Sequence, residues 1–421
     1  MAGGEDPPEE AELSSAAPAA LALTPREVAV GVRLPKKNCH GLGSISSASS
    51  ERHVWADLTD SLLHQIIALL SSFHDFLAAT STCSAWRAAV SSSPSIYNFT
   101  FPPLCVKTDF HYAHRRIYTW DINPLSNYKW KFRDPAKINL SLCCSAPRNT
   151  RYYVSYLGCS YGYLILSCGK QCLLFDLYTS TMVKTPKIQC RDDYQIHYAI
   201  LMAPLSAPNS SLLLFSRESV FQWQVGANTW IEHSLVAEHF CQIVCFKGQM
   251  FAIDSHQKLN IISLAPQLGI QEVPVVWGEV IVAGLHKRPW LVVCGDMLLM
   301  ADIASNNSHK KFCFHVFRLD LSAKPAKWVK VEKLENWALF VNADRRSQTF
   351  SCMSPERWGG KSNCIYVPSK SEDPNEPWMA VELGQSMCSR THPLSYILAS
   401  IDLVLENFWV LPSLLYGGVS Q

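Results

Sequence analysis

Beyond residue 105 the chain repeats itself, and the repeat leaves few folds open. A short β-rich run led by a turn recurs at Ser160–Leu166, Asn209–Phe215, Lys247–Ile253, Cys294–Met300 and Lys361–Val367. Gly, Asn and Ser at the head of these runs are turn residues, and the aliphatic and aromatic residues that follow suit a pleated, half-buried strand. Between them lie hairpin-like runs: Leu174–Val183, Val220–Ile231, Leu259–Ile270 and Val316–Val329. One run plus one hairpin amounts to about four strands every 40 to 55 residues, the period of a propeller blade. Such a blade is a small sheet with two apolar faces. Neighbours must cover both, and a closed ring covers every one. A β-sandwich would not require that order at that interval. The pattern predicts a mostly antiparallel all-β propeller over residues 104–416. Five blades are visible, and residues 104–157 supply another or close the ring, so the blade number stays open.

Ahead of the repeat, the stretch from Trp55 to Phe101 changes period. Leu62, Leu63, Ile66, Ile67 and Leu70 recur at three- and four-residue steps, one apolar helical face. Thr59 and Asp60 stand where an N-cap is wanted. Ser71–His74 interrupts the pattern. Two further short runs follow, Phe76–Ala79 and Ala85–Val90, before the serines that precede Pro94. Three short helices in some forty residues cannot cover all their apolar faces by themselves, so part of that surface meets the rest of the chain or a partner. The fold class expected is therefore α+β multidomain. It comprises a disordered segment over 1–50, a small three-helix module over 53–100 and the propeller over 104–416. The first segment is rich in Ala, Ser, Pro, Gly and Glu and buries too little to offset its ordering entropy.

The helical module resembles an F-box. The residues that carry the resemblance are Trp55–Leu58, the double-apolar helix from Leu62 to Ile67, and Asp75 to Arg87 with its Cys83-x-x-Trp86-Arg87 ending. Thr59 departs from the Pro that many F-boxes place there, and a Thr can cap the helix instead of starting it. With an irregular propeller behind it, the chain is similar to plant F-box proteins carrying a KIB-type β-propeller. Phe99–Leu104, the block from Leu339 to Tyr366 and the ending Trp409–Leu414 carry that second resemblance.

Composition narrows the functional classes. Thirty-seven basic and 35 acidic residues leave a net charge of +2, without the basic face or tail of a dedicated nucleic-acid or membrane-surface protein. No uncharged apolar run approaches the ~20 residues needed to span a bilayer. The N-terminus lacks the basic start and continuous apolar core of a secretory signal. The 16 cysteines are scattered without a CxxC pair, so they are expected as reduced core thiols of a cytoplasmic or nuclear protein rather than zinc ligands.

The search for chemistry is empty. Gly169–Lys170 lacks the rest of a phosphate-binding loop, and no G-x-S-x-G occurs. His111 and His114, with Asp109 nearby, fall on opposite faces of a strand-like segment. Asp192–Asp193 and Glu372–Asp373 are adjacent in sequence, which does not place two carboxylates on opposite sides of a bond. Trp223, Trp230, Trp328, Trp337, Trp358 and Trp378 are expected as inter-blade filler, with one or two as partner anchors. No cofactor and no metal is expected.

What the resemblance implies is an adaptor role. The protein would be the substrate-recognition subunit of an SCF-type cullin-RING E3 ubiquitin ligase, non-catalytic itself, the F-box binding a Skp-type adaptor and through it a cullin. The propeller would hold a target protein that the sequence does not identify. Leu58, Leu62, Leu63, Ile66, Ile67 and Leu70 would be the helical anchors. Phe76, Leu77, Trp86 and Arg87 would hold the helices together and complete the contact. Two alternatives stand beside this reading. One is an F-box/propeller interaction protein acting outside ubiquitin transfer. The other is a propeller enzyme with a helical appendage, marked by an acidic or metal-binding cluster at one end of the ring channel.

Overall fold

A computed structural model describes residues 58–70, 72–92, 100–110, 123–124, 128–135, 137–145, 153–189, 196–234, 239–264, 267–277, 289–306, 311–368, 378–388 and 407–416. All of them lie in one compact unit, Arg52–Gln421. The segment over 1–50, and with it the disorder expected there, falls outside the described residues, as do Trp55–Asp57 and Tyr97–Phe99.

Three helices come first: α1 (Asp60–Leu69), α2 (Phe73–Thr82) and α3 (Ser84–Ser92). Thr59 occupies the N-cap of α1 with extended backbone, and its carbonyl takes the first helical bond from Leu63 N at 3.0 Å, while its hydroxyl makes no capping bond. Ser72 caps α2 fully: its Oγ accepts from Asp75 N at 3.2 Å and donates to Asp75 Oδ2 at 2.8 Å. Helix α2 thus starts inside the stretch that interrupts the sequence period. Cys83 is the hinge between α2 and α3. It has extended backbone, and its carbonyl accepts from Arg87 N at 3.2 Å, so the Cys-x-x-Trp-Arg motif is one helix end followed by one helix start.

The remaining described strands form six sheets, each a blade. Blade 1 runs through Tyr153–Ser160, Tyr163–Cys168, Gln171–Asp176 and Met182–Lys184, with Asn123–Pro124 along its first strand. Blade 2 is Tyr198–Leu201, Ser211–Phe215, Ser219–Gln224 and Ile231–Ser234; blade 3 is Phe240–Phe246, Gln249–Asp254, Leu259–Ser263 and Gly269–Glu272. Blade 4 has the long hairpin Met297–Asn306 and Lys311–Asp320 between Trp290–Cys294 and Ala326–Val331. Val275–Trp277 adds a parallel outer strand to it, and Met387–Cys388 pairs with Lys311–Phe312. In blade 5 the order is Phe350–Met353, Trp337–Phe340, Cys364–Pro368 and Trp378–Glu382, and its two middle strands are parallel.

Blade 6 closes the ring from both ends of the repeat. Leu104–Phe110, Tyr128–Asp134 and Lys137–Ser145 come from its start, and Phe408–Val410 pairs antiparallel with the first of them, Cys105 opposite Trp409. The question of whether 104–157 adds a blade or closes the ring resolves as both. Trp409 is fully buried; its backbone N donates to Asn342 Oδ1 at 2.7 Å and its indole to Tyr366 O at 3.2 Å, pinning the last strand to blade 5.

Strand-end polar residues make the turns. Asp176 Oδ1 accepts from Tyr178 N at 2.8 Å and Thr179 N at 3.1 Å; Asp254 Oδ1 accepts from His256 N at 2.8 Å and Lys258 N at 2.9 Å. Ser216 does the same in blade 2, accepting from Ser219 N at 3.0 Å. Each side chain replaces backbone partners that the reversing strand loses.

The core is a set of layers between blades. Leu174, Leu212 and Phe221 lie between blades 1 and 2, and Phe215, Phe240 and Ala252 between blades 2 and 3. Phe251, Leu298 and Trp328 fill the next layer, and Val292, Phe314 and Leu339 the one after. The largest layer gathers blades 5, 6 and 1 with the helices: Leu63, Ile67, Phe73 and Phe76 share it with Leu104, Phe175, Phe340 and Trp409. The helical module is therefore built into the closure of the ring.

Candidate interaction surface

Helix α1 divides its apolar residues between two faces. Leu63 and Ile67 are 0% exposed, and Leu58, Ile66 and Leu70 pack half-buried at the edge of the same layer. Leu62 and Leu69, seven residues apart and so nearly superposed along the axis, are 46% and 80% exposed. A solvent-facing leucine pair beside a fully buried pair is the geometry of a helix seated on its own protein with an apolar strip turned outward.

The rest of the module explains why α1 sits that way. Phe73 stacks on Phe76 at 5.7 Å between centroids and meets Tyr178 of blade 1 edge-on at 6.2 Å. Phe76 lies 5.0 Å from Phe101, at the entry to blade 6. Trp86, Ala89 and Val90 bury the inner side of α3. From blade 5, the short 3₁₀ turn Pro355–Trp358 approaches α1: an Arg357 guanidinium N–H donates to Ala68 O, an end carbonyl with no partner inside the helix.

Of the residues expected at an adaptor interface, Leu62 and Arg87 are exposed, and Leu58, Ile66 and Leu70 are half-buried. Leu63, Ile67, Phe76 and Trp86 are buried within this chain. The Leu77 side chain lies outside the described residues. Leu69, the most exposed of the α1 leucines, lies outside the expected set, which includes its neighbour on the same side, Leu62, but steps from Ile67 to Leu70.

The ring encloses a cavity of about 200 Å³ lined from the inner strands of five blades, with Tyr161, Tyr198, Arg346 and Tyr416 among its walls. The one charge there is already committed. Arg346 clasps Asp344 with Nε to Oδ1 at 3.0 Å and Nη2 to Oδ2 at 2.6 Å, and donates to Tyr156 O at 2.9 Å. Burial pushes the Cys159 thiol up to about 12 and the Cys245 thiol up to about 11, so neither is a ready nucleophile. On blade 4, Cys313 Sγ lies 3.1 Å from His315 Nε2. Burial pushes that thiol up and that imidazole down, which opposes the thiolate–imidazolium form.

Among the described residues no group of three or more His, Cys, Asp or Glu side chains is placed to hold a metal, and no helix is long and apolar enough to cross a membrane. Cys159, Cys172, Cys245, Cys294 and Cys352 form no disulfide. Gly169 and Lys170 form a hairpin turn. His111, His114, Asp192, Asp193, Glu372 and Asp373 lie outside the described residues, as does the Asp109 side chain. The six tryptophans expected as filler are interior or nearly so. Trp223, Trp328 and Trp358 are buried, while Trp230, Trp337 and Trp378 are half-buried.

A family model described as the KIB1-4 beta-propeller matches residues 134–388. Among curated proteins the chain is 23% identical to a putative F-box protein of Arabidopsis thaliana, over 75% of this chain and 88% of that one. It is 22% identical to a putative F-box/kelch-repeat protein of the same plant, over 74% of this chain and 86% of that one. A third relative, an Arabidopsis F-box protein, is 22% identical over 75% of this chain and 96% of its own length.

Proposed function

Because this chain is a plant F-box protein belonging to the KIB1-4 β-propeller family, we propose that it is the substrate-recognition subunit of an SCF-type cullin-RING ubiquitin ligase. Helix α1 would dock on a Skp-type adaptor, and through it a cullin, in the cytoplasm or nucleus. The propeller would present a target protein. The observation that carries the reading is the outward apolar strip of Leu62 and Leu69 on a helix whose other face is locked into the propeller. Helix-in-groove recognition requires such a strip: apolar side chains enter a groove and leave water, at roughly 25 cal/mol per Å² of apolar surface covered.

The burial pattern divides the labour among the expected anchors. Leu62, Leu69 and the outer edges of Leu58 and Ile66 would touch the adaptor. Leu63, Ile67, Phe76 and Trp86 would hold the module on the ring, and Arg87 would lie at the rim. The protein would supply proximity between target and ligase, with no bond made or broken by its own residues.

Co-purification of the full chain with a Skp-type adaptor and cullin is the direct test. A stoichiometric complex supports the reading; a folded chain that elutes alone overturns it. A chain starting at the propeller is a poor control, since removing the helices uncovers Leu104, Phe175 and their neighbours in the shared layer.

A further inference from the structure

We infer that the propeller itself contributes to the adaptor interface, through Arg357, and that the adaptor's groove carries a carboxylate rim at the position this residue faces. The inference rests on the adaptor reading above and adds a residue from a different domain, about 290 positions further along the chain.

Arg357 sits in the 3₁₀ turn Pro355–Trp358 of blade 5. Its neighbour Trp358 is buried, with the indole donating to Cys352 Sγ at 3.3 Å, so the turn is anchored from beneath. Arg357 is exposed, and its guanidinium reaches Ala68 O, one peptide bond from Leu69. A partner that covers Leu69, 80% exposed at the same helix end, cannot avoid the ground beside this guanidinium.

The charge there is not tied into an ion pair. The carboxylate next in sequence, Glu356, is engaged by Ser362, whose N and Oγ both donate to Oε1. Among the described residues no carboxylate lies within ion-pair distance of Arg357. The bond to Ala68 uses one of five N–H donors. Buried under a partner, the remaining donors need acceptors, and a planar fork of donors is best met by a carboxylate. An apolar strip rimmed at one end by a cation thus fits an apolar groove rimmed by acid.

This placement also couples binding to the fold. A partner closing over Leu69 and Arg357 shields the contact that ties α1 to blade 5 and strengthens it by excluding water. Occupancy of the adaptor site should therefore stabilise the joint between helices and propeller, as ligand binding to a native state does.

The test is adaptor affinity of the full-length protein at two ionic strengths, for wild type, Arg357→Ala, Arg357→Glu and Leu62→Asp/Leu69→Asp. Arg357→Ala is expected to weaken binding about tenfold or more at low salt and to reduce the salt dependence, with Arg357→Glu weaker still. If Arg357→Glu binds like wild type while the leucine pair abolishes binding, the adaptor reading stands and this inference falls. A loss in Arg357→Ala whose salt dependence equals wild type also overturns it, since that result means only a loosened helix. If the leucine pair binds normally, the adaptor reading falls first.

Discussion

Gly162 turns the first hairpin of blade 1 at a φ of +82°, where an L side chain is strained, and a Cβ there would stand 2.3 Å from Ser413 N. The turn packs beneath the C-terminal segment, which Ser413 ties to blade 1 by donating to Asp176 Oδ2 at 2.6 Å. Gly162→Ala should destabilise the protein by about 2 kcal/mol or more from backbone strain and displacement together, read as a lowered denaturation midpoint. A second residue sets the response to acid. His197 stacks on His239 at 4.2 Å, with both ring nitrogens buried and unbonded. Burial first, and then His239, Arg217 and Arg346, push its pKa down to about 4. The unfolded chain takes up a proton near pH 6.5 and the folded one resists until about 4, so stability falls as pH drops through that window. The loss at its lower end is about 3 kcal/mol. His197→Phe keeps the stack and should flatten unfolding free energy between pH 6.5 and 4.5; an unchanged slope would show that the loss comes from other groups.

At the scale of elements, the sequence carried the three helices through apolar spacing, and the strands through turn residues ahead of aliphatic runs. The Cys83-x-x-Trp86-Arg87 motif was legible because its geometry is local, one helix ending and the next beginning within four residues. Four features were not legible. The parallel pairing inside blade 5 depends on a 3₁₀ turn and a crossover between Phe340 and Cys364, which leave no period in either strand. The closing strand Phe408–Val410 has three residues, too few for alternation, and its partner lies about 300 residues earlier. The outward strip on α1 was hidden for a different reason. The apolar set read from the sequence contains Leu62 but steps from Ile67 to Leu70, so Leu69, seven residues on from Leu62 and on its outward side, drops out of it. The cross-domain contact of Arg357 with Ala68 has no local signature at all.

At the scale of the whole molecule, helices and propeller share one apolar layer where blades 5, 6 and 1 meet, and the ring closes beneath them. A docking face carried on such a joint holds a fixed orientation toward whatever the blades bind, which is what delivery of a target to a ligase requires. The central claim is that α1 faces two ways, and one paired experiment tests it: adaptor affinity and denaturation midpoint measured together on two full-length variants. Leu62→Asp/Leu69→Asp should abolish adaptor binding and leave the midpoint near wild type, because charged groups enter an apolar contact that exists only in the complex. Leu63→Ala/Ile67→Ala should lower stability by about 2–5 kcal/mol per site as buried side chains become cavities. The opposite pattern, with a stable protein that still binds when Leu62 and Leu69 are charged, would contradict the account.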